Sequence, residues 1–282
     1  VRIVDCHVHV YPPEIIRDWK RIAESEPYFG MLARGKVHRW ATADDVIAQM
    51  DADGIEQSLI FGFSFGDLAL CKLCNDYVIS TVKEHPDRFK GMAVVPPLAK
   101  GAVKEIERCR DEGLIGVGEI FPQGQDFDIT DPRETWRLAA ACHEMNMFVM
   151  IHTAEPVGHD YPGKGNVGPK EAAAFCLNHP EVKVIFAHFG GGLWIYEMMP
   201  EMKLALKNAY YDTAAAPFLY APAIFKAIDA AGLAGKFLYG SDYPILSLER
   251  YKRLLAQLDM SDDFLKSIFG YNFEKFAAPI EN

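Results

Sequence analysis

The chain is short of positive charge: 29 Lys and Arg stand against 39 Asp and Glu, giving a formal charge of -10 and a pI near 5.4. No basic stripe is available to neutralise phosphates, which excludes broad nucleic-acid binding. There is no apolar run of membrane-spanning length, so neither a membrane anchor nor a membrane partner is expected. The first residues enter a strand pattern without a secretory hydrophobic segment, and a cytoplasmic location is the expectation. Ser/Gly/Pro tracts, low-complexity runs and blocks of like charge are also missing. Residues 1–282, half of them hydrophobic, therefore read as a single domain with a large core and a small-molecule partner.

Cysteine is sparse and scattered. Cys6, Cys71, Cys74, Cys109, Cys142 and Cys176 lie mostly within helical patterns, which fits reduced thiols rather than a disulfide framework. Cys71 and Cys74 form a CxxC, but no second Cys or Cys/His pair follows. Leu70, Cys74, Tyr77, Val78 and Thr81 fall at helical spacing, so the pair reads as a buried helix face.

What is present is a regular alternation. Strand patterns at 4–10, 58–61, 91–95, 115–121, 147–152, 182–188, 209–213 and 236–242 are each followed by helix, including helices over 193–206, 247–258 and 262–269. Thr42 with Asp45, and Asp131-Pro132 with Glu134, are helix starts; Gly54 and Gly113 are stops. Continuous apolar strands alternating with amphipathic helices predict a parallel sheet buried on both faces, and eight rounds predict a (β/α)8 TIM barrel. An open doubly wound sheet is the alternative, but the glycine-rich turn it needs after strand one is absent. Residues 11 to 41, after strand one, read as a long loop rich in aromatic and basic residues.

The place of that missing turn is taken by Asp5-Cys6-His7-Val8-His9. On a strand, His7 and His9 share a face with Cα atoms roughly 6.6 Å apart, which suits joint ligation of a metal ion, although a hydrogen-bonded histidine pair would look the same. In barrels the chemistry sits at the C-terminal ends of the strands. His7 and His9 end strand one, His152 ends strand five and His188 ends strand six; Asp242 ends strand eight, and Glu119 lies in strand four. A buried acid needs a partner or a cation, and one ion would satisfy the set. His85, His143 and His179 fall instead in last turns of helices, where they mark stops. His38 and His159 lie in rim loops. Arg34, Arg39, His159, Tyr161 and Lys164 are candidate carboxylate binders. Trp194 and Phe218 follow strands six and seven closely enough to wall a pocket or to pack a helix. Gly190-Gly191-Gly192 reads as a tight turn beside His188, with an anion cradle as the alternative.

These residues resemble the metal-dependent amidohydrolase superfamily, and within it the branch similar to aminocarboxymuconate-semialdehyde decarboxylase, also called the second amidohydrolase family. The resemblance is carried by Asp5-Cys6-His7-Val8-His9, Ile151-His152, Ala187-His188-Phe189-Gly190-Gly191, Gly240-Ser241-Asp242-Tyr243-Pro244 and Ile268-Phe269-Gly270-Tyr271-Asn272, in the family's order along nearly the whole chain. It implies His7, His9, His152 and Asp242 as ligands of a divalent metal, most often zinc. His188 would polarise the substrate or handle a proton, and Asp242 would take the proton of an activated water. Glu119 departs from the decarboxylase pattern; related branches use such an acid to bridge two metals, so one ion is the expectation and two the alternative. The leading expectation is a metal-dependent hydrolase of a small, carboxylated substrate. The alternative is a nonoxidative decarboxylase of a carboxylated aromatic or muconate-like acid. A non-catalytic binding barrel is a third reading, disfavoured by the intact ligand set. Members of this branch are often dimers, which makes a homodimer possible.

Overall fold

In the computed structural model, which describes residues 2–278, eight parallel strands pair in chain order. They are β1 (Val4–His9), β2 (Gln57–Phe61), β3 (Phe89–Ala93), β4 (Gly116–Ile120), β5 (Phe148–Ile151), β6 (Val184–Phe186), β7 (Ala209–Asp212) and β8 (Phe237–Leu238). The segment after β8 closes the circle onto β1. Cys6 N–H donates to Tyr239 O at 2.8 Å, Asp242 N–H to His7 O at 3.0 Å and His9 N–H to Tyr243 O at 2.8 Å. The architecture is the expected (β/α)8 barrel.

Side chains of Val4, Cys6, Leu59, Phe61, Met92, Met150, Ile185 and Leu238 form one apolar cluster, which Phe273 and Phe276 of the C-terminal helix Asn272–Ala277 join. Val8 and Val10 belong to a different layer, with Ile60, Val117, Val149 and the helix faces. Strict alternation would put Val4, Cys6, Val8 and Val10 on one face. The change of face coincides with a register irregularity between Asp5 and Val8. A second irregularity lies between Val117 and Ile120, around Glu119. Such bulges re-aim side chains, and here both lie next to groups of the polar mouth.

The stretch 11–41 is not the structureless loop that its composition suggested. It holds two helices, α1 (Pro13–Ser25) and α2 (Pro27–Ala33), each with proline in its first turn. Ile15, Ile22, Ala23 and Phe29 of these helices are buried against Tyr11, Phe63, Phe65, Cys71, Cys74 and Val94. Burying a large apolar side chain contributes roughly 1.5–3 kcal/mol, and in α1 Ile15, Ile16, Trp19, Ile22 and Ala23 recur at the helical spacing of one face. The same cluster holds Cys71 and Cys74 as buried, free thiols, as the helix-face reading expected.

Two other expectations change. The helix predicted over 193–206 breaks at Met199, which is extended before Pro200, into a short-pitched run ending at Met198 and a helix at Pro200–Ala205, and ahead of it Phe189 to Gly192 adopt four successive left-handed conformations. A Cβ on Gly191, at φ +57°, would lie 2.3 Å from the Ala154 carbonyl, so the glycines serve a tight turn. The predicted eighth strand is regular only over Phe237–Leu238; Asp242 lies beyond it with φ +68°. Among the described residues, no helix is long and apolar enough to cross a membrane.

Candidate metal centre

Six of the singled-out side chains meet at the C-terminal mouth of the barrel. His7 and His9 do share a face: their Nε2 atoms lie 3.3 Å apart. Asp242 Oδ1 lies 3.6 Å from His7 Nε2 and 3.5 Å from His9 Nε2. Glu119 points inward and is 1 % exposed. Its Oε1 lies 2.9 Å from His152 Nδ1 and 3.5 Å from His188 Nε2, and its Oε2 lies 3.6 Å from both His7 Nε2 and His9 Nε2. Gly118 makes this possible. At φ +142° it passes so close to β5 that a Cβ would sit 2.4 Å from Met150 O, and Ser64 Oγ donates to the Glu119 carbonyl at the same point.

Two groups of three donors each have their ligand atoms within 4.8 Å of one another: His7, His9 and Asp242, and His7, Glu119 and His188. Imidazole nitrogens with carboxylate oxygens suit zinc, manganese and similar divalent ions. Glu119 Oε2 and His9 Nδ1 are buried without hydrogen-bond partners. A fully buried carboxylate oxygen is costly when left unpaired, and a cation beside it would remove that cost. The donor set therefore fits a metal ion.

His152 is placed differently from the other imidazoles. It belongs to neither triad: Nδ1 faces Glu119 Oε1, and Nε2 faces the Lys164 carbonyl at 3.1 Å. One face of its ring stacks on Phe121, centroids 4.3 Å apart at 20°, and Phe63 stacks on Phe121 in turn. His152, Phe121 and Phe63 thus form a buried stack of rings beside the cluster.

The candidate carboxylate binders do not reach this cluster. Arg39 Nη1 donates to the carbonyls of Lys36 and His38, at 2.9 and 2.7 Å. Lys164 Nζ donates to Val157 O and His159 O, at 3.0 and 3.2 Å. His159 is exposed with its ring against Tyr161, and the Arg34 guanidinium lies beside Gly30 of its own helix. No side chain of Arg34, Arg39, His159, Tyr161 or Lys164 has a hydrogen bond to His7, His9, Glu119, His152, His188 or Asp242 among the described residues; Lys164 meets His152 only through its backbone carbonyl. Phe218 is half exposed, whereas Trp194 is buried against Phe237, so helix packing accounts for the tryptophan.

Sequence reasoning missed Asp212, the last residue of β7. Its Oδ2 accepts from His7 Nδ1 at 2.8 Å, and its Oδ1 accepts from the backbone N–H groups of His188 and Ala214, at 2.8 and 2.9 Å. The available signal was positional: an acid closing strand seven, as Asp242 follows strand eight.

Burial opposes charge on Glu119, Asp242, His7 and His188, and their contacts outweigh it. Glu119 is held well below the usual carboxylate range by His7, His152 and His188, and Asp242 is lowered by His9, His7 and His188. His7 is raised well above its ordinary value by Asp212 and Glu119, and His188 is raised to about 9 chiefly by Glu119. In metal-stripped protein the depressed carboxylates stabilise the fold above about pH 4.5 and lose that effect as pH falls through their lowered values. The raised histidines stabilise it below about pH 6.5 and lose that effect as pH rises, for His188 through about 9. Stripped protein is therefore expected to melt at its highest temperature between about pH 4.5 and 6.5. Thermal melts in chelator across the pH range check this, and stability still rising from 6.5 towards 9 would contradict it.

Comparison with known proteins places the chain in a family. A family model described as Amidohydrolase matches residues 4–276. A curated relative, 2-amino-3-carboxymuconate-6-semialdehyde decarboxylase of Dictyostelium discoideum, is 25 % identical over 231 residues, covering 67 % of this chain; the chain spans 63 % of that relative's length. Among solved structures, 5-carboxyvanillate decarboxylase from Sphingomonas paucimobilis matches with a TM-score of 0.78 at 17 % identity, covering 98 % of both chains. The 5-carboxyvanillate decarboxylase of Novosphingobium aromaticivorans, complexed with manganese and 4-hydroxy-3-methoxy-5-nitrobenzoic acid, matches at 0.76 and 20 % identity, covering 98 % of this chain and 96 % of its own. At these identities the solved structures speak for the fold alone.

Proposed function

The chain belongs to the amidohydrolase family, and on that premise we propose that it is a metal-dependent, nonoxidative decarboxylase of a planar, carboxylated aromatic acid. Hydrolysis, the leading expectation from sequence, gives way because the curated relative is named a decarboxylase. The structural observation that carries the reading is the buried donor set of His7, His9, Asp242 and Glu119 at the barrel mouth, with Glu119 Oε2 unpartnered, which fits a cation able to hold the oxygens of a carboxylated substrate.

His7, His9 and Asp242 would hold the ion, with Glu119 and His188 beside it. When bound, a divalent cation supplies a Lewis acid that fixes the substrate's oxygens and draws charge from them. Its identity is left to experiment: the Novosphingobium structure contains manganese, so zinc has no special claim. One ion is proposed rather than two. Both triads need His7, whose Nδ1 is occupied by Asp212, and the remaining Nε2 has a single lone pair.

In the proposed reaction Asp242, ionised at rest by its histidine contacts, takes up a proton and passes it to the ring carbon that bears the carboxylate. The carbon–carbon bond then breaks, its electron pair restores the aromatic ring, and carbon dioxide leaves. Asp242 regains its proton from solvent, so the net change is uptake of one proton for each carbon dioxide released. His188, charged through its Glu119 contact, would steady the negative charge on the substrate.

The test is product analysis on hydroxybenzoates and muconate-type acids beside a panel of lactones and amides, with manganese or zinc supplied. Carbon dioxide released one for one with the decarboxylated product is expected. Oxygen from labelled water entering a product, with no carbon dioxide, would instead establish hydrolysis.

A further inference from the structure

Asp212 is fully buried behind the cluster and faces hydrogen-bond donors on every side that the structure defines. They come from three places: His7 Nδ1 on β1, the His188 N–H just after β6, and the Ala214 N–H beyond its own strand. The Ala214 carbonyl accepts from His188 Nδ1 at 3.1 Å. Resting on the metal reading above, we propose that Asp212 is a positioning residue that sets the tautomer of His7 and also holds the turn carrying His188. Ion affinity and the placement of His188 then depend on one carboxylate.

The argument is one of proton inventory. A neutral imidazole carries one N–H. Asp212 fixes that proton on His7 Nδ1, so the Nε2 lone pair faces His9, Asp242 and Glu119. A histidine bound to a metal characteristically donates its other N–H to such a carboxylate, and loss of the partner typically weakens the metal 10- to 100-fold. His188 and Phe189 have φ of +56° and +60°, a left-handed conformation that residues with side chains rarely adopt. The His188 N–H bond to Asp212 holds that turn, and the Ala214 carbonyl, on a peptide run anchored by the same carboxylate, directs His188 Nε2 toward Glu119.

All three partners of Asp212 are donors, so only an all-acceptor side chain satisfies them together. Asn has one acceptor and one donor end. The backbone N–H groups cannot surrender their protons, whereas His7 can shift its own. In D212N the oxygen therefore faces the backbone and the amide nitrogen faces His7 Nδ1, which moves the ring proton to Nε2 and blocks the lone pair.

The experiment measures zinc and manganese affinity by competition with a chromophoric chelator in wild type, D212N and T213V. Thr213 lies beside Asp212 and bonds Gly240 through Oγ1 at 3.2 Å, so T213V loosens the same strand end without touching His7. D212N is expected to bind about 10- to 100-fold more weakly, with T213V lowering the melting temperature and leaving affinity unchanged. A folded D212N that binds as tightly as wild type, or an equal loss in T213V, would overturn the proposal. Should D212N fail to fold, nitrogen-15 spectra of the zinc-loaded wild type still decide: a His7 proton on Nδ1 is expected, and its absence refutes the assignment. If wild type itself binds neither ion, the metal reading fails and this inference falls with it. Tight wild-type binding with an unaffected D212N defeats only the inference.

Discussion

Asp242→Asn is expected to lower kcat by roughly 10²- to 10⁴-fold while the metal stays bound and KM changes little, because a positioned proton donor acts mainly in the transition state. Asn keeps the volume of Asp and one carbonyl oxygen, so it can still face His7 and His9 where Oδ1 now lies at 3.6 and 3.5 Å. It cannot carry a proton to carbon. Asp242 sits at φ +68°, a conformation Asn tolerates better than most residues, so the backbone should not object to the exchange. The measurement is steady-state carbon dioxide release with metal content determined on the same sample. A kcat within a few-fold of wild type would remove Asp242 from the proton path. A large loss accompanied by loss of metal would make it a ligand only.

His7→Ala is expected to reduce bound metal to background. His7 is the one residue common to both donor triads, and it is also the point where β1, β7 and the segment after β8 meet through Asp212 and the Asp242 N–H. Removing a large buried side chain costs stability as well, so metal analysis must be confined to the folded fraction. The contrast is Glu119→Gln. Gln retains an oxygen ligand, so with a single ion the stoichiometry should hold at saturating metal; halved content would reveal a second ion bridged by Glu119. Full metal occupancy in folded His7→Ala would end the assignment of this cluster as the metal centre. Each outcome is read by elemental analysis after gel filtration, without any assay of turnover.

The barrel was legible because its signal is repeated eight times. Apolar strands buried on both faces alternate with amphipathic helices, and a misplaced boundary in one round leaves the others intact. Boundaries failed where the chain leaves regular geometry: after β6, where His188 to Gly192 all have positive φ and Met199 breaks the helix before Pro200, and after β8, where the chain turns to bond β1. Helix α1 does carry a one-faced apolar pattern, Ile15, Ile16, Trp19, Ile22 and Ala23, that the prolines and the aromatic and basic composition of the stretch masked, whereas α2 is only seven residues long and owes its order to packing on Phe63 and Phe65.

His7, His9, His188, Asp242 and Glu119 could be singled out because an imidazole or an acid at the end of an apolar strand needs a partner, and that need is written in residue type and position. The alternation of β1 could not reveal that the faces change between Cys6 and Val8, since a bulge forms from pairing with β2 and the segment after β8. Nor could it show that Lys164 meets His152 through its backbone carbonyl while its amine turns to Val157 and His159. The sequence by itself determined the fold and which side chains stand at its mouth, because burial and periodicity are properties of neighbours along the chain. Only the tertiary structure decided that Glu119 faces inward, that His152 stands outside both triads, and that Asp212 holds His7. Those facts rest on contacts between residues up to 205 positions apart, which no local pattern encodes.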